Sequence, residues 1–181
     1  MKIAVLFASH QKGGKHGEIK QMLQSLDTPH QFEFIELSDY KLTPCLVNCK
    51  NCVAKNERRC LYDESGEILS ILQTADINVI IVPQYYPYPS KFAALMEKLL
   101  AFSYRVENRP LKGKPTAIFR YCSCKILDES DLEILWQQFL MDKGFSFLEP
   151  NYPYLNQEDD ANTKYDGDIV TYVRDVICNI S

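Results

Sequence analysis

What the chain lacks narrows its chemistry first. Its 181 residues hold one Trp, three His and seven Gly. No apolar run approaches the roughly 20 residues that a bilayer-spanning helix needs, so no membrane partner is expected. A short strand-like stretch follows Met1 at Lys2-Ile3, with no charged region leading to a signal peptide, so none is expected either. Together these absences predict a cytoplasmic protein. Charge of one sign is not in large excess: the net charge is −4 and the sequence pI about 5.4, which argues against nucleic acid as the main partner. His10, His16 and His30 show no metal-ligand spacing. Neither GxxxxGK[ST] nor GxGxxG occurs, which removes the two standard nucleotide signatures.

What is present is an ordinary apolar fraction, 46%, enough for a sizeable core. The length suits a single domain over residues 1–181, with one cysteine-rich insertion at about 38–64. Ile3 to Ala8 is a continuous apolar run, the pattern of a strand buried on both faces. Ser9 to Gly17 is a polar, glycine-containing loop, and Ile19, Met22, Leu23 and Leu26 then recur at helical spacing. Strand, loop and helix in that order form an anion site, because helix-start N–H groups point outward with the positive end of the dipole. Gly13 and Gly14 allow close backbone approach, and Lys12 and Lys15 add charge. An ordinary basic turn is the alternative.

Further along, Phe32–Leu37 and Asn78–Val82 read as strands, and Thr116–Phe119 as a shorter one. Helices are predicted from Asp63 or Ser65 through Leu72, from a Ser90 cap through Leu100, over Asp128–Asp142, and over Ile169–Ile180. Phe145–Leu148 is the last predicted strand, followed by a polar loop over 151–166. Strands alternating with helices give an α/β protein whose parallel sheet is covered on both sides. Ligands of such sheets sit at the carboxyl ends of the strands. Three loops meet there: after Ala8, after Val82 and after Phe119. The second, PQYYPYPS, is a stiff aromatic rim suited to a flat ligand, or else a packed contact surface. The third, RYCSCK, offers Tyr121 and Ser123.

Seven cysteines in a reducing compartment do not make a disulfide framework. Cys45, Cys49, Cys52 and Cys60 fall close enough together to surround one metal centre, whether an iron–sulfur cluster or zinc; plain thiols are the alternative. Cys52-x5-Arg58 has phosphatase-loop spacing, but it lacks the glycines and the preceding strand, so it is set aside as chance. Cys178 reads as a core residue of the last helix.

The loop with Ser9 and Gly14, the insertion closing on Cys60-Leu61-Tyr62-Asp63, Ala75-Asp76 before an apolar strand, Pro83-x-Tyr85 and Ser90 at a helix start resemble one family. It is the NAD(P)H-dependent FMN reductases of the flavodoxin-like fold, with their iron–sulfur flavoprotein branch. The resemblance runs from Lys2 to about Leu100. It implies a three-layer fold, a five-stranded parallel sheet in the order 2-1-3-4-5, and bound FMN. It also implies NAD(P)H as donor, a small-molecule or protein electron acceptor, and a homo-oligomer. Against the family's phosphate loop, GSPRxxGN[ST], Gln11 stands for the Arg and Lys15-His16 for the last pair. By that match Ser9, Gln11, Lys15, His16 and Gly17 hold the phosphate. Pro83, Gln84, Tyr85 and Tyr86 border the ring on one side, with Tyr121, Cys122 and Ser123 on another. No general acid or base is needed for hydride transfer to a flavin. The branch implies a [4Fe-4S] cluster on Cys45, Cys49, Cys52 and Cys60, although its first gap is two residues and here it is three. Lys98-Leu99 replaces the family's Asp-Arg pair, and the third loop lacks the family's glycine. A rival reading follows from that last departure: a non-catalytic module of the same fold, without flavin, binding a metal or a protein partner.

Overall fold

The computed structural model describes residues 1–46, 60, 62–83, 89–103, 111, 113–122, 145–147, 155–156 and 169–180. The first strand, β1 (Lys2–Phe7), leads into helix α1 (Gly14–Ser25) and strand β2 (Gln31–Glu36). A short 3-10 turn over Leu37–Asp39 opens the insertion. Then come α2 (Ser65–Thr74), β3 (Ile77–Pro83), α3 (Ser90–Ser103), β4 (Lys114–Cys122), β5 (Phe145–Phe147), β6 (Leu155–Asn156) and α4 (Ile169–Asn179). The predicted helix over Asp128–Asp142 lies outside the described residues.

All strand pairs are parallel, in the order β2-β1-β3-β4-β5. The expected order is therefore observed, with one refinement at the fifth position. β5 pairs with the start of β4, Lys114–Thr116, and β6 pairs with its end, Tyr121–Cys122. β3 occupies the other edge of β4, so β5 and β6 are two pieces of one edge strand. Leu155–Asn156 was expected in a polar loop and is instead the second piece, because a two-residue strand has too little sequence to show a period.

Alternation along the strands sorts the core into two layers. Ala4, Leu6, Ala8, Ile80 and Val82 face Ile68, Leu69 and Leu72 of α2 and Phe92, Leu95 and Met96 of α3. Ile3, Val5, Phe7, Val79, Ile81 and Phe119 face Ile19 and Leu23 of α1 and Ile169, Val173 and Ile177 of α4. Burial on both faces is why Ile3–Ala8 and Ile77–Val82 carry apolar side chains at nearly every position. Each such Ile, Leu or Phe contributes about 1.5–3 kcal/mol of burial.

Local signals set the helix starts. Asp63 Oδ1 accepts the Ser65 N–H at 3.1 Å and its hydroxyl at 2.6 Å, closing the first turn of α2. Ser90, expected as a cap, is the first residue of α3, and the Pro89 carbonyl takes the first helical N–H, from Ala93, at 3.0 Å. Cys178, expected in the core, is exposed. The buried stripe of α4 passes through Val173, Val176 and Ile177, and position 178 falls beyond its edge.

Candidate active site

The sheet places three strand ends side by side. Ala8 continues the ladder beyond β1 by donating its N–H to the Ile81 carbonyl at 2.9 Å. Pro83, the last residue of β3, lies opposite Tyr121 of β4. The loop after β1 therefore leaves from the carboxyl edge beside the ends of β3 and β4.

That loop is built as an anion cradle. Ser9 is buried and its Oγ accepts the Gln11 N–H at 3.1 Å, which fixes the turn. Gly13 and Gly14 take φ values of 91° and 57°, in the left-handed region that favours glycine. A Cβ at either position would have no atom within 4 Å, so the space over the turn is open. The Gly13 carbonyl takes the Gly17 N–H at 3.3 Å, the first bond of α1. The N–H groups of Gly14, Lys15 and His16 precede that bond and have no acceptor within the helix. They are donors with a positive dipole behind them. Lys12 and Lys15 flank the cradle, each already paired: Lys12 with Asp39 at 2.5 Å and Lys15 with Glu18 at 2.9 Å. Gln11 is exposed at the rim, and Gly17 is half-buried.

His16 turns inward from the same helical turn. It is 5% exposed and lies between Phe7, at 5.2 Å between ring centroids, and Tyr121, at 5.6 Å edge-on. Burial outweighs the pull of Glu36 and lowers its pKa to about 4, so the ring is neutral at physiological pH. Its Nε2 is buried and, among the described residues, has no hydrogen-bond partner. Tyr121 and Cys122 were expected in a loop after Phe119. They instead extend β4 to Cys122, because pairing with β3 and β6 continues past the end of the apolar run. Tyr121 is half-buried and packs on the α1 and α4 side of the sheet. Gln84, Tyr85, Tyr86 and Ser123 lie outside the described residues.

Sequence reasoning missed His10. Its Nε2 accepts the Ser90 N–H at 3.2 Å, tying the cradle loop to the first turn of α3. It also missed Lys91, whose ammonium donates to the carbonyls of Leu37, Ser38 and Tyr40 at 3.0, 3.1 and 2.7 Å. The available signal was a lysine one helical step from Leu95 in an otherwise apolar stripe, a position repeated by Lys98.

The insertion begins and ends at one place. The Lys41 N–H donates to Glu64 Oε2 at 2.6 Å, and the Thr43 N–H to Asp63 Oδ2 at 3.0 Å. The Cys45 N–H donates to Glu97 Oε2 at 2.8 Å, and Lys98 Nζ lies 3.3 Å from Cys60 Sγ. Cys45 and Cys60 are thus both docked on α3; Cys49 and Cys52 lie outside the described residues. Among the described residues no group of three or more His, Cys, Asp or Glu is arranged to hold a metal.

A parallel three-layer sheet with an anion cradle after its first strand defines a flavodoxin-like protein. The chain belongs to the NADPH-dependent FMN reductase family, whose model matches residues 1–128, and is thereby an NAD(P)H-dependent flavin oxidoreductase. No curated relative matches it. Among solved structures it is similar to RosB with bound 8-demethyl-8-formylriboflavin-5'-phosphate, at 16% identity and a TM-score of 0.71, covering 99% of this chain and 77% of that one. It is similar to the NAD(P)H:quinone oxidoreductase from Methanothermobacter marburgensis, at 11% identity and a TM-score of 0.69, covering 100% and 99%. It is also similar to the general stress protein 14 from Treponema denticola in complex with FMN, at 12% identity and a TM-score of 0.60, covering 98% and 95%. At these identities the structural likeness concerns the fold. No helix among the described residues is long and apolar enough to cross a membrane.

Proposed function

We propose that the protein binds FMN at the carboxyl edge of the sheet and passes electrons from NAD(P)H to a small-molecule or protein acceptor. The observation that carries this reading is the cradle: three first-turn N–H groups with no acceptor within the helix under an open Gly13-Gly14 turn, on a chain of the FMN reductase family. These residues fit a phosphate. Ser9 braces the turn, the N–H groups of Gly14, Lys15 and His16 donate, and Lys15 adds charge from the side. Pro83 to Tyr86 would border the ring on one side, and Tyr121 to Ser123 on another. FMN, when bound, supplies the hydride acceptance and electron donation. The chain's task is to hold the phosphate, fix the ring and exclude water, and no protein acid or base is required.

The test is titration of FMN and of riboflavin with the purified protein, followed by flavin fluorescence, with NADPH oxidation measured on the loaded protein. FMN is expected to be quenched at micromolar protein and to bind about 10- to 100-fold tighter than riboflavin, the range of charge-assisted hydrogen bonds to a phosphate. Absence of quenching by either flavin would overturn the reading. Equal affinity for both would show that the cradle does not hold the phosphate.

A further inference from the structure

The candidate site holds a polar atom that the phosphate cradle does not use. His16 is 5% exposed, and its Nε2 is buried with no hydrogen-bond partner among the described residues. A dry, unpaired ring nitrogen destabilises a fold, and native structures carry few of them. The rings around His16 fix where it lies. One neighbour is Phe7, the last residue of β1, at 5.2 Å between centroids; the other is Tyr121, next to the last residue of β4, at 5.6 Å. β3 runs between those two strands, and its Ile81 pairs with Phe7 on one side and with Phe119 on the other. An imidazole packed on both rings therefore crosses the end of β3, on the α1 and α4 side of the sheet. The backbone N–H of the same residue is a donor of the cradle. His16 thus spans the interval from the cradle to Tyr121.

On the flavin reading, which this inference rests on, the phosphate sits at the cradle and the flavin ring borders Tyr121. The polyol chain that joins the two has to cross the same interval. We propose that the His16 side chain binds the ribityl hydroxyls of the flavin through Nε2, leaving the phosphate to the backbone donors. The chemistry selects a hydroxyl. Burial, against the pull of Glu36, lowers the pKa of His16 to about 4, so the ring brings no charge to a phosphate at neutral pH. In a neutral imidazole Nε2 is an N–H donor in one tautomer and a lone-pair acceptor in the other. A hydroxyl satisfies either, because it both donates and accepts, whereas an ionised phosphate oxygen only accepts. The family's phosphate loop has Ser or Thr where this chain has His16, a side chain too short to span from the cradle to Tyr121.

The test titrates FMN, riboflavin and lumiflavin against the full-length protein and His16→Leu, followed by flavin fluorescence. Lumiflavin keeps the ring system and lacks the polyol chain. His16→Leu is expected to weaken FMN and riboflavin by the same factor, about tenfold, and to leave lumiflavin within about twofold. Loss of FMN affinity with riboflavin unchanged would put the ring at the phosphate, and equal loss for all the flavins would make it a packing residue. Either overturns the proposal, as does no change with any of them. Unaltered protein that quenches none of these flavins overturns the flavin reading and this inference with it, a result distinct from the others. A second measurement needs no substitution. In protein labelled with nitrogen-15 at histidine, the His16 Nε2 signal is recognised by the proximity of its ring to Phe7 and Tyr121. It is expected to move on adding riboflavin and far less on adding lumiflavin. Movement of equal size with both overturns the proposal as well.

Discussion

At the scale of single residues, two titrating groups give the fold a stepped response to acid. His16 has an ordinary pKa of 6.5 and a folded value of about 4, so the unfolded chain takes up its proton first. Stability is therefore full above pH 6.5 and falls as pH drops towards 4, by up to about 3 kcal/mol. Burial works against the charge of Asp63, but the Ser65 and Thr43 donors with Lys98 outweigh it and depress the carboxyl from 3.8 to about 2, so its contribution is present above pH 3.8 and is lost below, by up to about 2 kcal/mol. Urea-unfolding midpoints measured against pH are expected to show both windows. His16→Leu is expected to flatten the upper one and leave the lower one; an upper window that survives the substitution would assign it to another group. His10 acts by position. His10→Ala releases the Ser90 N–H, and FMN is expected to bind severalfold more weakly while the unfolding midpoint stays within about 1 kcal/mol. Equal loss in binding and in stability would make His10 merely structural. Asp63 was legible as a helix start, and its bonds to Ser65 agree; the tie from His10 to Ser90 and the packing of the His16 ring were not. The match to the family's phosphate loop put His16 at the phosphate; the packing of its ring against Phe7 and Tyr121 depends on neighbours distant along the chain.

At the scale of elements, strands buried on both faces were the most legible, since each position of Ile3–Ala8 and most of Ile77–Val82 must be apolar to lie between two helical layers. The end of β4 was not legible. Arg120-Tyr121-Cys122 breaks the apolar run, and only the ladder to Val82 and Pro83 makes it strand. α3 connects most parts of the site. Its first N–H holds His10, Lys91 gathers the turn after β2, and Glu97 and Lys98 receive the two ends of the insertion. An apolar period predicts such a helix but not the lysines within it, because their partners lie far away in sequence. Lys91→Met takes the lysine donor from the Ser38 and Tyr40 carbonyls and leaves the Leu37 carbonyl with the Tyr40 N–H. It is expected to cost about 1–3 kcal/mol and to speed amide exchange at Tyr40, whose N–H donates to the Leu37 carbonyl. Unchanged exchange at Tyr40 would show that the 3-10 turn holds without the lysine.

At the scale of the whole molecule, the order of the sheet was legible through alternation and resemblance, while the division of its fifth strand was not, since β5 and β6 are three and two residues long. The insertion was legible as an insertion, but its neck was not. Lys41 and Glu64 bond to each other, as do Thr43 and Asp63, and Cys45 and Cys60 rest on adjacent residues of α3. Replacing residues 47–59 with a short Gly-Ser linker is therefore expected to move the unfolding midpoint by no more than about 1 kcal/mol, because loop closure depends only weakly on length. A protein that no longer folds would show that the replaced residues contribute to the core. A neck of this kind works as a socket. Whatever is spliced between its two ends leaves from and returns to one spot beside α3, so a lineage or an engineer could exchange the cargo there while keeping the neck that holds it.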